Sequence, residues 1–176
     1  MGTLISLFTG TLKPTDNDFE IESVSVKKAH FQFWNEVLSP FNEPGKTEIA
    51  IFLPGLLNTS DEFRPDFRRF STLGLEKEDQ VRNVFELGFE KGFDRVIFLS
   101  PNWTSATQES LKSAVESLNQ HKMVFIPGED GSLLLWGMKQ SVFRNWPRFD
   151  GFQKEIVVEM ISLCIEKKLG YSLLNS

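Results

Sequence analysis

The chain holds one cysteine, Cys164, and two histidines in 176 residues, and each shortage excludes something. A lone thiol forms no internal disulfide, and its place on the apolar stripe of a predicted helix makes it a buried, inert group. His30 has no second histidine or acid at ligand spacing, so no zinc set is built on it and it reads as a residue at the border of a helix stripe. Long apolar runs are missing too. Those present, such as 49–53, are strand-sized and stop at Pro54, far short of a membrane span. The beginning of the chain lacks the basic stretch and small-residue cleavage site of a secretion signal. Positive charge is in deficit, with 19 Lys and Arg against 24 Asp and Glu and a net charge of −5. The basic residues are scattered as well, which argues against a groove for a phosphate backbone. These absences predict a cytoplasmic protein with neither a membrane nor a nucleic acid as partner.

What is present suits an ordinary globular chain: 40% hydrophobic and 24% charged residues, and enough length for one full core but not two. A single domain over 1–176 is expected. Its plan shows in the stretch from Gly92 to Gly137. Gly92 reads as a helix stop, and 95–100 is an apolar run of the buried parallel-strand kind. After the turn Pro101-Asn102-Trp103-Thr104, Ser105 and Gln108 are spaced like a capping box. Leu111, Ala114, Val115 and Leu118 then recur along one helical face. A strand at 123–126 runs into Pro127-Gly128-Glu129-Asp130-Gly131-Ser132 and a final apolar segment, 133–137. Asp-Gly between two apolar runs is a hairpin signal. The two strands of this βαβ unit should end in polar loops at one edge of a sheet, where open α/β sheets bind ligands.

The remaining elements follow from the same periodicities. Residues 4–8 read as a buried first strand, which outweighs the acylation pattern formed by Gly2 and Ser6. It leads into Thr9-Gly10-Thr11-Leu12-Lys13-Pro14, a polar, glycine-containing turn. Asp16, Asp18, Glu20 and Glu22 follow as a solvated connection with no metal-loop pattern. A helix over 25–38 carries Val26, Ala29, Phe33, Trp34, Val37 and Leu38 on one face, and strands are expected at 48–53 and 67–71. Arg64, Arg68 and Arg69 are the only local basic cluster, read as solvated rim residues with a phosphate contact as the alternative. Residues 76–91 form a helix by its acidic first turn and the stripe Val81, Val84, Phe85, Gly88, Phe89. Phe152, Ile156, Met160, Leu163 and Cys164 stripe a last helix, closed at Lys167–Gly170 and followed by a short strand, 171–174.

Gly92 to Met138 resembles, without a gap, the second half of an uncharacterised bacterial family related to nucleotide-diphospho-sugar transferases. The family carries Val-Val, then Gly-Ser-Asp-Cys-Pro, then Gly-Pro-x-x-Asp-Gly-Gly-Tyr-Tyr-Leu-Ile-Gly. This chain answers with Val96-Ile97, Thr107, Leu111, Pro127, Glu129-Asp130-Gly131, Leu135 and Gly137. The resemblance implies a GT-A type α/β fold: a three-layer αβα sandwich with a mostly parallel sheet and an antiparallel member among the last strands. It places the nucleotide against the first loop at Gly10 and Lys13 and the donor phosphates near Asn102, Asp130 and Gly131. It also implies a magnesium or manganese ion bound together with a nucleotide-sugar. Yet Ser-Asp-Cys-Pro is here Pro101-Asn102-Trp103-Thr104, so an amide stands at the acidic metal position. The basic first loop of the family is reduced to Lys13, and an arginine of the helix start is Gln80.

Hard divalent cations want anionic oxygen ligands. Asn102 lends only a neutral carbonyl, which leaves Asp130, beside Glu129, as the charged metal candidate. The expected function is therefore that of a nucleotide-diphospho-sugar transferase-like protein with lost or much reduced glycosyltransferase activity, kept as a binding or scaffold protein. The alternative is an active metal-dependent nucleotide-sugar glycosyltransferase or nucleotidyltransferase. Trp103 belongs to either reading, as a plug of the phosphate pocket or as a stacking platform for a base. Oligomeric state and catalytic residues stay open.

Overall fold

Strand β1, Thr3–Phe8, is buried at all six positions, as a strand is only inside a sheet covered on both faces. Around it, a computed structural model describes residues 2–9, 24–53, 62–72, 77–147 and 156–175. After β1 come α1 (Val24–Leu38), a single 3-10 turn (Ser39–Phe41), β2 (Thr47–Leu53), β3 (Arg68–Ser71) and α2 (Lys77–Glu90). Then follow β4 (Arg95–Leu99), α3 (Gln108–Gln120), β5 (Met123–Pro127), β6 (Leu133–Lys139), α4 (Gln140–Phe143), α5 (Ile156–Glu166) and β7 (Tyr171–Leu173).

The strands form one sheet in the order β3-β2-β1-β4-β6-β5-β7. All pairings are parallel except the two made by β6, which runs antiparallel to β4 and to β5. Strand alternation then splits the core into two clusters. Leu4 and Phe8 of β1 face Val84 and Phe85 of α2 and Met160 and Cys164 of α5. Ile5 and Leu7 face Trp34 and Leu38 of α1 and Leu111 and Leu118 of α3. This is the three-layer α/β sandwich with the antiparallel late strand.

The β4–α3–β5 unit is the predicted crossover with one difference: its two parallel strands are not neighbours, because β6 lies between them. Gly137 makes this arrangement fit. A Cβ there would lie 2.5 Å from Val124 Cγ1 and 2.9 Å from Leu118 Cδ1, so only a hydrogen lets α3 close on β6.

Local expectations hold where a stripe or turn is strong and slip at helix ends. All five stripe residues of α2 are buried, and Gly92 stops the helix at φ 89°. On α1, Trp34, Val37 and Leu38 are buried but Ala29 is exposed. Phe31, edge-on to Phe63 at 4.9 Å, turns the face in its place. The N-cap of α3 is Thr107 and not Ser105: its extended backbone lets the hydroxyl accept the Ser110 amide at 3.1 Å. Gln108 instead donates to the Glu36 carbonyl. At the end of α5, the left-handed residue is Lys168 (φ 52°) and not Gly170, whose carbonyl is taken by the Lys122 amide at 2.8 Å as β7 begins. Cys164 is fully buried against Met123, with Sγ 3.5 Å from Sδ, and burial pushes its thiol up to about 11. The predicted roles of Gly10, Lys13, Val26, Glu76, Glu78, Phe152 and the acid run 16–22 lie outside the described residues or side chains.

Candidate functional site

The chain leaves β1 for β2 on one side and returns to β4 on the other. The strand order therefore reverses between β1 and β4, and a ligand crevice in such sheets lies beyond the carboxyl ends of those strands. Thr9 stands at the end of β1, its amide and its hydroxyl both donating to the Phe52 carbonyl at 3.0 Å. Ser100 directly follows β4, buried, with its amide donating to the Leu134 carbonyl at 2.9 Å. That bond ties the loop after β4 to the start of β6, and so to the turn between β5 and β6. The topology thus brings Thr9, Asn102, Asp130 and Gly131 to one edge of the sheet.

Each loop is closed by its own hydrogen bonds. The Ser100 hydroxyl accepts the Asn102 amide at 3.3 Å, and the Asn102 carbonyl accepts the Thr104 amide at 3.0 Å, leaving the Asn102 side chain exposed. Ser100 escaped the sequence reading because a serine ending an apolar strand carries no motif. Between β5 and β6, the Gly128 amide donates to the Ser132 carbonyl at 2.8 Å and the Gly131 amide to the Gly128 carbonyl at 3.0 Å. Gly131 sits at φ 79°, in the left-handed region that glycine enters without strain. Exposed Asp130 turns Oδ1 back to accept the Ser132 amide at 3.0 Å. The Asp-Gly hairpin is therefore real, and it uses one oxygen of the carboxylate proposed as a metal ligand.

Trp103 is 1% exposed and belongs to the core cluster of α1 and α3. A ring so enclosed presents no face on which a base could stack, and its indole nitrogen has no hydrogen-bond partner. Among the described residues no group of three His, Cys, Asp or Glu side chains is arranged to hold a metal. Among the described residues the loops offer Asp130, bound into its own turn, Glu129 beside it and the neutral amide of Asn102, a sparse donor set for a divalent ion. No helix of the described residues is long and apolar enough to cross a membrane.

The arginine cluster is occupied elsewhere. Arg64 forks onto Asp66 at 3.0 and 3.2 Å, which raises the guanidinium and holds the carboxyl below its usual range. Arg68 pairs with Glu48, and Arg69 donates to the carbonyls of Phe67, Phe63 and Arg64 at 2.9, 3.0 and 3.1 Å. A groove of about 570 Å³ opens between α1 and the segment before β3, lined by Phe31, Gln32, Asn35, Glu62 and Arg64.

No known protein-family pattern and no curated protein matches the sequence. Solved structures do match the fold. A protein from Desulfovibrio desulfuricans G20, proposed to be a nucleotide-diphospho-sugar transferase, superposes with a TM-score of 0.70 at 18% identity, over 99% of this chain and 80% of that one. CMP:2-keto-3-deoxy-manno-octonic acid synthetase complexed with CTP gives 0.65 at 8% identity, over 100% and 90%. Rv0371c from Mycobacterium tuberculosis H37Rv, in complex with manganese, gives 0.58 at 10% identity, over 99% and 87%. The fold is that of nucleotide-diphospho-sugar transferase-like proteins.

Proposed function

We propose that this chain is a nucleotide-diphospho-sugar transferase-like domain whose metal-dependent glycosyl transfer is lost or much reduced, and which serves as a binding or scaffold protein. The carrying observation is the donor set at the crevice. Asn102 stands exposed where the resemblance calls for an aspartate, and Asp130, the described acid left beside Glu129, has one oxygen bound to its own turn. Transfer from a nucleotide-sugar develops charge on a leaving diphosphate, and that charge must be met by a cation or by aimed donors. Asp130 held by its own turn, with only Glu129 and a neutral amide beside it, recruits a cation poorly. The Trp103 ring supports the same reading, since it is enclosed in the core and offers no face to a base.

The experiment is calorimetric titration of the full chain with UDP-, GDP- and CDP-sugars, with magnesium or manganese present. No metal-dependent heat is expected. A clear titration that Asp130→Ala abolishes would establish the active reading instead, for which the CTP-bound and manganese-bound fold neighbours provide the precedent.

A further inference from the structure

The opposite end of the sheet gathers positive charge, which the described loops at the β1 and β4 ends do not. Arg95 opens β4, Lys139 closes β6 and Lys122 directly precedes β5. Arg95 and Lys139 are register partners across the antiparallel ladder, and the Lys139 amide donates to the Lys122 carbonyl at 3.0 Å. Three neighbouring strands thus present three cations in one row, although like charges directly opposite each other destabilise a sheet. Alternation sends them to the α3 face, since Val96, Met123 and Met138 belong to the other cluster.

No carboxylate of the described residues pairs with any of the three. Their partners are neutral: Arg95 donates to the Asn119 side-chain oxygen, Lys139 Nζ to the Asn119 carbonyl at 3.1 Å, and Lys122 Nζ to Ser141 Oγ at 3.4 Å. The nearest acid in the chain, Asp94, accepts the Gly2 amide at 2.9 Å. The carboxyl end of α3 supplies roughly half a negative charge against three positive ones. Two donors in the row are left over. Arg95 Nε is buried without a hydrogen-bond partner, and so is the hydroxyl of Thr3, fully buried and in register with Arg95. Burial, then Lys122 and Arg95, depress the Lys139 ammonium below its usual value, as uncompensated positive charge does.

We propose that Arg95, Lys139 and Lys122 form a binding site for a tetrahedral oxyanion of the phosphate class, at the end of the sheet remote from the crevice. The guanidinium offers a planar fork and the two ammoniums act as point charges, so a doubly charged oxyanion would offset most of the row's charge. The site stands independently of the proposed function.

Binding of inorganic phosphate to the full chain is to be followed by amide NMR at fixed ionic strength, with chloride exchanged for phosphate. Saturable shifts centred on Arg95, Lys122 and Lys139 are expected. Lys139→Gln should weaken them about tenfold, as loss of one charge-assisted hydrogen bond does. Lys46→Gln, at an exposed lysine paired with Glu43, should leave them unchanged. Without phosphate, Lys139→Gln should melt no lower than the parent, because repulsion is relieved. Shifts that do not saturate, an equal loss in Lys46→Gln, or a lower melting temperature of Lys139→Gln without phosphate would each overturn the site.

Discussion

The two ends of the sheet differ in a way opposite to what the fold leads one to expect. At the carboxyl ends of β1 and β4, the described loops carry exposed Asn102 and turn-bound Asp130, and the Trp103 ring between them in sequence is buried in the core. At the other end of β4, β6 and β5, three cations lie side by side with no described carboxylate partner. Between them lie the two core clusters, one on each face of the sheet. A sheet topology therefore fixes where a crevice lies, while its charge is set by a few loop residues that packing does not constrain.

The largest perturbation tests the core that joins the two ends. Gly137→Val would force a side chain into Val124 and Leu118, and the variant is expected not to fold, as read by loss of a cooperative melt. A variant that melts near the parent would show that α3 can move off β6, and that the two ends are not rigidly joined. Next, Trp103→Ala should cost about 3–5 kcal/mol in denaturant unfolding, the usual loss for a buried aromatic, while leaving the opposite end unaffected. If the variant gains nucleotide-sugar binding, steric filling and not missing charge is what closes the crevice. The smallest effect is expected from Asn102→Asp, within about 0.5 kcal/mol because the side chain is exposed. It should give a manganese-dependent rise in melting temperature that the parent lacks. Absence of that rise would mean that the Asp130 carboxylate, held by Ser132, is also out of reach.

Much of the architecture was legible because it rests on short-range signals. The stripe of α2, the Gly92 stop and the Asp130-Gly131 hairpin each depend on residues within one or two turns of each other. Helix ends were less so. Ser105 and Thr107 are equally good caps by type, and only backbone direction selects Thr107. The phase of α1 depended on Phe63, distant in sequence, meeting Phe31. For the candidate site, the resemblance brought Asn102, Asp130 and Gly131 to one edge, but it could not reveal that Ser132 engages the carboxylate. The cation row was invisible, because Arg95, Lys122 and Lys139 meet only through the pairing of β6 with both neighbours.

That pairing also sets an order of events. β4 and β5 share no hydrogen bonds with each other; β6 supplies them to both. A chain emerging from the ribosome can join β1, β2 and β4 early, but β5 stays unlinked to them until β6 is out, to residue 139. Until then β4 exposes an unsatisfied flank to any other extended segment nearby, which makes the interval before β6 arrives the moment of greatest risk for mispairing during synthesis.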